Sequence, residues 1–298
     1  MRVGRLRRLD WTPLFAEALE PRLLLSSTPT IAAALADPAL TAFLPTYRVI
    51  GKPSAQPYGS SGPVGLTPTQ IRHAYGFDQI TFSNGTIVGD GTGQTIAIID
   101  AYNAPTIVQD LHTFDLAFGI PDPANFTIVS QTGSTTNLPS NAPTPGNSWA
   151  VETSLDVEWA HALAPGANIL LVEANSASLS DLLSAAVGYA RTVTGVVAIT
   201  MSFGTTDGSS LAGYNSLFTT PTGHAGITFL ASTGDSGSPG SYPAYAPTVV
   251  AVGGTTLLTD GSGNYINEAG WSGSGGGVST YQAAPSFQVG LTGYTNRT

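Results

Sequence analysis

The sequence predicts an α/β fold in which a parallel sheet carries helices on both faces. Two observations carry that expectation. Short apolar runs rich in β-branched residues recur along the chain, and segments with helical spacing lie between them. Alternation of this kind builds a parallel sheet, which needs cover on both sides.

The elements follow in order from about Gly65. Thr95–Asp100 (TIAIID) is a buried strand bounded by Gly93 and Asn103. Ile107–Phe118 places Ile107, Leu111, Phe114 and Phe118 on one helical face. Phe126–Val129 is the second strand, Ser148–Leu163 a helix and Ile169–Val172 the third strand. Leu179–Val193 is a helix through Leu182, Leu183, Ala186, Val187 and Ala190. Val196–Met201 is a strand, Tyr214–Phe218 part of a helix, and Ile227–Ala231 and Val249–Val252 two more strands. The chain has no internal repeat.

Ahead of this region, residues 1–27 read as an export segment. Arg2, Arg5, Arg7 and Arg8 precede Trp11–Ala16 and Leu19-Glu-Pro-Arg-Leu-Leu-Leu25. Glu17, Glu20 and Arg22 interrupt its apolar stretch, unlike an ordinary secretory signal. Residues 28–63, rich in Pro, Ala, Ser and Gly, read as a linker with one short helix at Ile31–Ala36. Residues 64–298 are the expected folded domain.

Composition narrows the function. A net charge of −9 argues against a nucleic-acid partner, which needs a basic patch. From residue 64 onward only Arg72, Arg191 and Arg297 are basic. Such a surface gains little positive charge in acid, which suits an acidic milieu as well as an ordinary acidic protein. No run of 18 apolar residues exists, so no membrane helix is expected. The absence of cysteine excludes disulfides, thiolate catalysis and Cys-ligated zinc.

Sites in open parallel sheets form at the carboxyl ends of the strands. Asp100-Ala-Tyr102, Ser202-Phe203-Gly204 and Ser232-Thr-Gly-Asp-Ser-Gly237 should therefore share one sheet edge. Glu152 and Asp156, four apart on a helix, present both carboxyls on one face. They are either a coupled functional pair or, with Glu158, a solvated acidic face. Asp235 opens a Gly-rich turn, as a cap or as a functional acid. Asp100 is a turn residue or an acid behind the catalytic pair. Trp271 beside Ser272-Gly-Ser-Gly-Gly-Gly277 points to a shaped loop rather than a linker. His73, His112, His161 and His224 lack metal-ligand spacing and read as structural or surface residues.

Together these segments resemble the sedolisin family, serine-carboxyl peptidases with a subtilisin-like fold. The resemblance runs over about residues 64–290. It rests on Gly65-Leu-Thr-Pro-Thr-Gln-Ile-Arg-His-Ala-Tyr-Gly76, Gly93–Tyr102, Glu152-x-x-x-Asp156, Met201–Gly204, Ser232–Gly237 and Trp271–Gly277 in this order. It implies that Glu152 is the general base, Asp156 the acid that orients it and Asp235 the acid of the oxyanion hole. Ser202, Phe203 and Gly204 would partly line the substrate cleft. A carboxylate base ionises below imidazole, and Asp235 donates only when protonated, so both roles suit acid. The implied protein is a secreted, monomeric endopeptidase acting on peptides.

Two departures accompany the resemblance. The family's nucleophile lies in a Gly-Thr-Ser-Ala-type segment after the Gly-rich loop, and this sequence holds no Gly-Thr-Ser. The family's calcium ligands also lie in that later region, beyond Thr298. The expectation is a C-terminally truncated, inactive fragment without a metal site of its own. Residues 28–63 are also too short for the family's usual propeptide.

Three other readings compete. A chymotrypsin-like protease with Ser236 as nucleophile would require an all-β fold, against the alternation above. A Ser-His-Asp subtilisin would require a His where Glu152 stands. A non-catalytic pseudoenzyme or secreted binding domain would keep the fold without the chemistry.

Overall fold

The computed structural model describes residues 42, 65–143 and 149–290. The expected export segment, and the linker apart from Ala42, lie outside the described residues, as does the short helix at Ile31–Ala36. Ala42 is buried and donates its N–H to the Ala177 carbonyl at 2.8 Å.

Helix α1 (Pro68–Ala74) opens on a capping box. The Thr67 hydroxyl accepts from Gln70 N–H, and the Gln70 side chain accepts from Thr67 N–H. A small hairpin follows, β1 (Thr81–Phe82) and β2 (Ile87–Val88). The central alternation then runs through β3 (Thr95–Ala101), α2 (Ile107–Phe118), β4 (Phe126–Ser130), α3 (Trp149–Leu163) and β5 (Asn168–Ala174). Next comes helix α4, wound as a π-helix over Ser180–Val187 and as an α-turn over Gly188–Ala190. It ends earlier than the expected Val193, because Thr192 and Val193 turn towards Gly195, whose φ of 88° only glycine holds easily. β6 (Val196–Met201), a 3₁₀ helix (Ser209–Leu217), β7 (Thr228–Ser232) and β8 (Val249–Val252) complete the alternation.

The six-stranded sheet has the order β4-β5-β3-β6-β7-β8, with every neighbouring pair parallel. Its strands alternate their side chains between two cores. Ala97, Ile99, Leu170 and Val172 face α4, whose Leu182, Leu183, Ala186 and Val187 are fully buried. Ile98, Ile169 and Leu171 face α2 and α3 through Ile107, Leu111 and Val157. The fold is the subtilisin-like α/β architecture that the sequence predicts, with helices on both faces.

A hairpin of β9 (Thr255–Thr259) and β10 (Tyr265–Gly270) escaped the sequence reading. Its strands are largely exposed, so they lack the buried apolar run used to find the others. Their signal was the turn, where Asp260 Oδ1 accepts the N–H groups of Ser262 and Asn264 at 2.8 and 2.9 Å.

The two faces differ in cover. On the side of α2 and α3, Ala198, Thr200, Leu230 and Val252 of β6, β7 and β8 line an open surface. An apolar groove of about 830 Å³ runs there, floored by Thr200, Leu230 and Val252 and walled by Leu155, Asp156 and Trp159.

Candidate active site

The carboxyl-end rule gathers the predicted residues at one edge of the sheet. Asp100 sits near the end of β3, Ser202 directly follows β6, and Asp235 follows β7 by three residues. Above them α3 carries Glu152 and Asp156. This helix is buried on more than one side, through Trp149, Glu152, Thr153, Val157, His161 and Ala162. The acidic pair is therefore not a solvated face. Glu152 is only 3% exposed, and Glu158 points elsewhere, towards Asp110 and Asp115.

Burial and mutual repulsion set the protonation of the group. Loss of water pushes Glu152 up to about 8, with further upward pushes from Asp156 and Asp235 and a hydrogen bond from Ser202 pulling down. Burial raises Asp156 to about 7 against the same Ser202 hydroxyl, which donates to Asp156 Oδ1 at 2.8 Å. Asp100, with no exposed surface, is held well above the ordinary range by burial first and by Asp156 and Glu152 next. Its neighbour Thr153 spends its hydroxyl on the Trp149 carbonyl at 2.8 Å. The expectation that Glu152 ionises below imidazole is thus corrected, because desolvation outweighs the intrinsic acidity of a carboxyl. Coupled acids release their protons in separate steps, so the members of the set do not ionise together.

Asp235 is held by the Gly-rich loop. Gly234 takes a φ of 99°, and Gly275 N–H donates to the Gly234 carbonyl at 2.6 Å. A Cβ on Gly275 would fall 1.9 Å from the Thr233 carbonyl oxygen. The glycine run is therefore a shaped loop pressed against the turn that presents Asp235.

The expected cleft residues need revision in two places. Phe203 has no exposed surface, and its ring packs 6.1 Å from that of Trp149. Its side chain belongs to the core, so only its backbone is left to meet a substrate. Gly204 is a packing glycine, since a Cβ there would lie 2.4 Å from Ser241 Oγ. Ser202 is engaged with the acidic pair. Sequence reasoning missed Glu173, the next-to-last residue of β5, which lies at the same edge with no exposed surface. A lone acid closing the apolar run Ile169–Ala174 was its signal.

The four histidines are engaged elsewhere. His73 binds Asp78 and Asn264, and His112 binds Asp122. Buried His161 meets the Pro121 carbonyl, and His224 meets the carbonyls of Val193 and Ala225. Among the described residues no group of acidic or histidine side chains fits a metal ion, so no step is assigned to calcium. No helix among them is long and apolar enough to cross a membrane.

No family model matches the chain. Kumamolisin from Bacillus sp. (strain MN-32) is 32% identical over 253 residues, covering 77% of this chain and 42% of the relative. The chain belongs to the sedolisin family. Sedolisin from Pseudomonas sp. (strain 101) is 29% identical over 263 residues, covering 73% of this chain and 44% of its own length. The solved Pseudomonas sedolisin, a serine-carboxyl proteinase complexed with two molecules of pseudo-iodotyrostatin, matches with a TM-score of 0.63. That likeness comes at 28% identity and covers 80% of this chain and 69% of the other. The chain spans less than half the length of either curated relative. Within this peptidase family, the buried acids at the sheet edge are the natural candidates for the chemistry.

Proposed function

We propose that this protein is a secreted, monomeric serine-carboxyl endopeptidase that hydrolyses peptide bonds in acid. The observation that carries the reading is the buried Glu152–Asp156 pair beside the turn of Asp235. Burying uncompensated carboxyls costs several kcal/mol each, a cost that a fold sustains where the groups are used.

In the proposed mechanism Glu152, ionised, takes the proton of a serine hydroxyl as that oxygen attacks the peptide carbonyl. Asp156 holds and polarises Glu152, and Ser202 fixes Asp156. Asp235, protonated, donates to the oxygen of the tetrahedral intermediate. Glu152 then returns its proton to the leaving amine, and the acyl-enzyme is hydrolysed by water. The serine belongs to a Gly-Thr-Ser segment, which these 298 residues do not contain. By themselves they are therefore proposed to be inactive. The groove is the proposed seat for the segment that brings the serine, because it is largely apolar and Asp156 forms part of its wall.

The test is to sequence the gene past codon 298 and to assay its full product on an unstructured protein at acidic pH. An in-frame Gly-Thr-Ser segment with activity lost in Glu152→Gln supports the reading. No such segment, and no activity, turns the same fold into a pseudoenzyme or binding domain.

A further inference from the structure

Glu173 is a carboxyl that the mechanism above leaves unused, yet it lies behind the same acids. In the parallel register of β3 and β5 it stands directly opposite Asp100, on the sheet face that meets α3. Neither residue has exposed surface. Glu173 Oε1 accepts the Ala104 N–H at 2.9 Å, which anchors the turn leading to α2. Its Oε2 has no donor, and neither oxygen of Asp100 has one. The same is true of Asp156 Oδ2 and Glu152 Oε2.

A row of buried acceptor oxygens without donors is untenable if every member is ionised. Nor does a cation among the described residues balance it. Arg72 is spent on the Leu163 carbonyl, and Arg191 on the carbonyls of Ser216 and Leu217. Apart from the hydroxyls of Ser202 and Thr153, the donors left to the row are the acids' own protons. We propose that Glu173 is a positioning residue: in its neutral form it donates from Oε2 to Asp100, closing a proton-holding row Glu173–Asp100–Asp156 behind Glu152.

The acidic groups facing the row all push one another upwards, against the downward pull of the Thr153 hydroxyl on Asp100 and of the Ser202 hydroxyl on Asp156. Asp156 and Glu152 on α3, together with Glu173 itself, push Asp100 upwards, and Asp235 does the same to Glu152. Burial raises Glu173 to about 7, opposed by the Ala104 N–H. With the rear acids neutral, no carboxylate charge stands behind Glu152 to oppose its ionisation. This inference rests on the peptidase reading for its catalytic meaning, but not for the protonation it asserts.

Glu173→Gln is the matching variant, since the amide keeps the acceptor for Ala104 and supplies a fixed donor towards Asp100. Infrared spectra of the 298-residue chain at pH 6 should show buried protonated carboxyls, and the variant should lose one of them. If the variant fails to fold, the wild-type spectrum decides through selective labelling of glutamate carboxyls. An ionised Glu173 at pH 6 overturns the proposal. In the full gene product the variant should keep most of its acid-side rate and move the alkaline limb of the kcat profile down by about one pH unit, the order expected for removing a neighbouring like charge. An unmoved limb with retained rate overturns the positioning role. An unimpaired Glu152→Gln enzyme sinks the peptidase reading instead, and leaves the infrared result standing.

Discussion

Ser202 donates its hydroxyl to Asp156 Oδ1 across 2.8 Å, joining the end of β6 to the middle of α3. The bond connects a sheet edge to the helix that carries both acids of the pair. The same hydroxyl lowers Glu152 as well as Asp156.

Ser202→Ala should therefore raise both acids further and leave a buried acceptor without its donor. The expected loss of stability is about 1–3 kcal/mol. Carboxyl carbon NMR titration of the variant should show the coupled set moving to higher pH, and thermal unfolding should report the loss.

Stability should fall as pH rises. Glu152 is raised to about 8, Asp156 and Glu173 to about 7, and Asp100 in the same direction. The folded chain thus holds protons that the unfolded chain releases near pH 4. The stabilising contribution is complete below that value and declines until about pH 8. Asp181, lowered by hydrogen bonds from Ser176, Gln131 and Ser178, works in the opposite direction only in stronger acid. Unfolding followed by circular dichroism should give a Tm at pH 4.5 above that at pH 8 by about 10 °C, several kcal/mol at this size. A Tm independent of pH would mean that the acids are not buried as described.

Gly275→Ala should disrupt the turn of Asp235. The added methyl meets the Thr233 carbonyl oxygen at 1.9 Å, and backbone must shift to relieve it. Overpacking of this kind costs about 1–3 kcal/mol or more. Gly276→Ala, where a Cβ meets nothing within 4 Å, is the matched control and should be nearly neutral in thermal unfolding.

Val252→Asp tests the groove. Val252 is 46% exposed, so the change should cost the 298-residue chain little. In the full gene product the same charge would face the proposed nucleophile segment in an apolar seat. Expression with a large loss of folded, active material only in the longer protein is the expected outcome.

Much of this architecture was legible because burial writes itself as pattern. Thr95–Ala101, Ile107–Phe118 and Val196–Met201 bury one face or both, so apolar spacing marked them almost to the residue. The hairpin Thr255–Gly270 buries little and left only a turn signal. The spacing of Glu152 and Asp156 showed a shared helix face, but not that the face is buried. That depends on Trp149, Phe203 and the sheet edge meeting in space. Phe203 misled for the same reason, since its place beside Ser202 in the chain says nothing about which way its ring packs. Glu173 was missed although it closes an apolar strand at the predicted edge. The shifted protonation of the acids is a property of the assembled group and has no signature in one dimension.

The most direct test of the central claim is the acidic-pH peptidase rate of the full gene product with Glu152→Gln, measured beside the unaltered protein at equal folded concentration. Removal of a general base should lower kcat by about 10²–10⁴-fold while the fold is retained. A variant that cleaves peptides as fast as the parent would contradict the assignment of Glu152, and with it the role given to the buried acids around it.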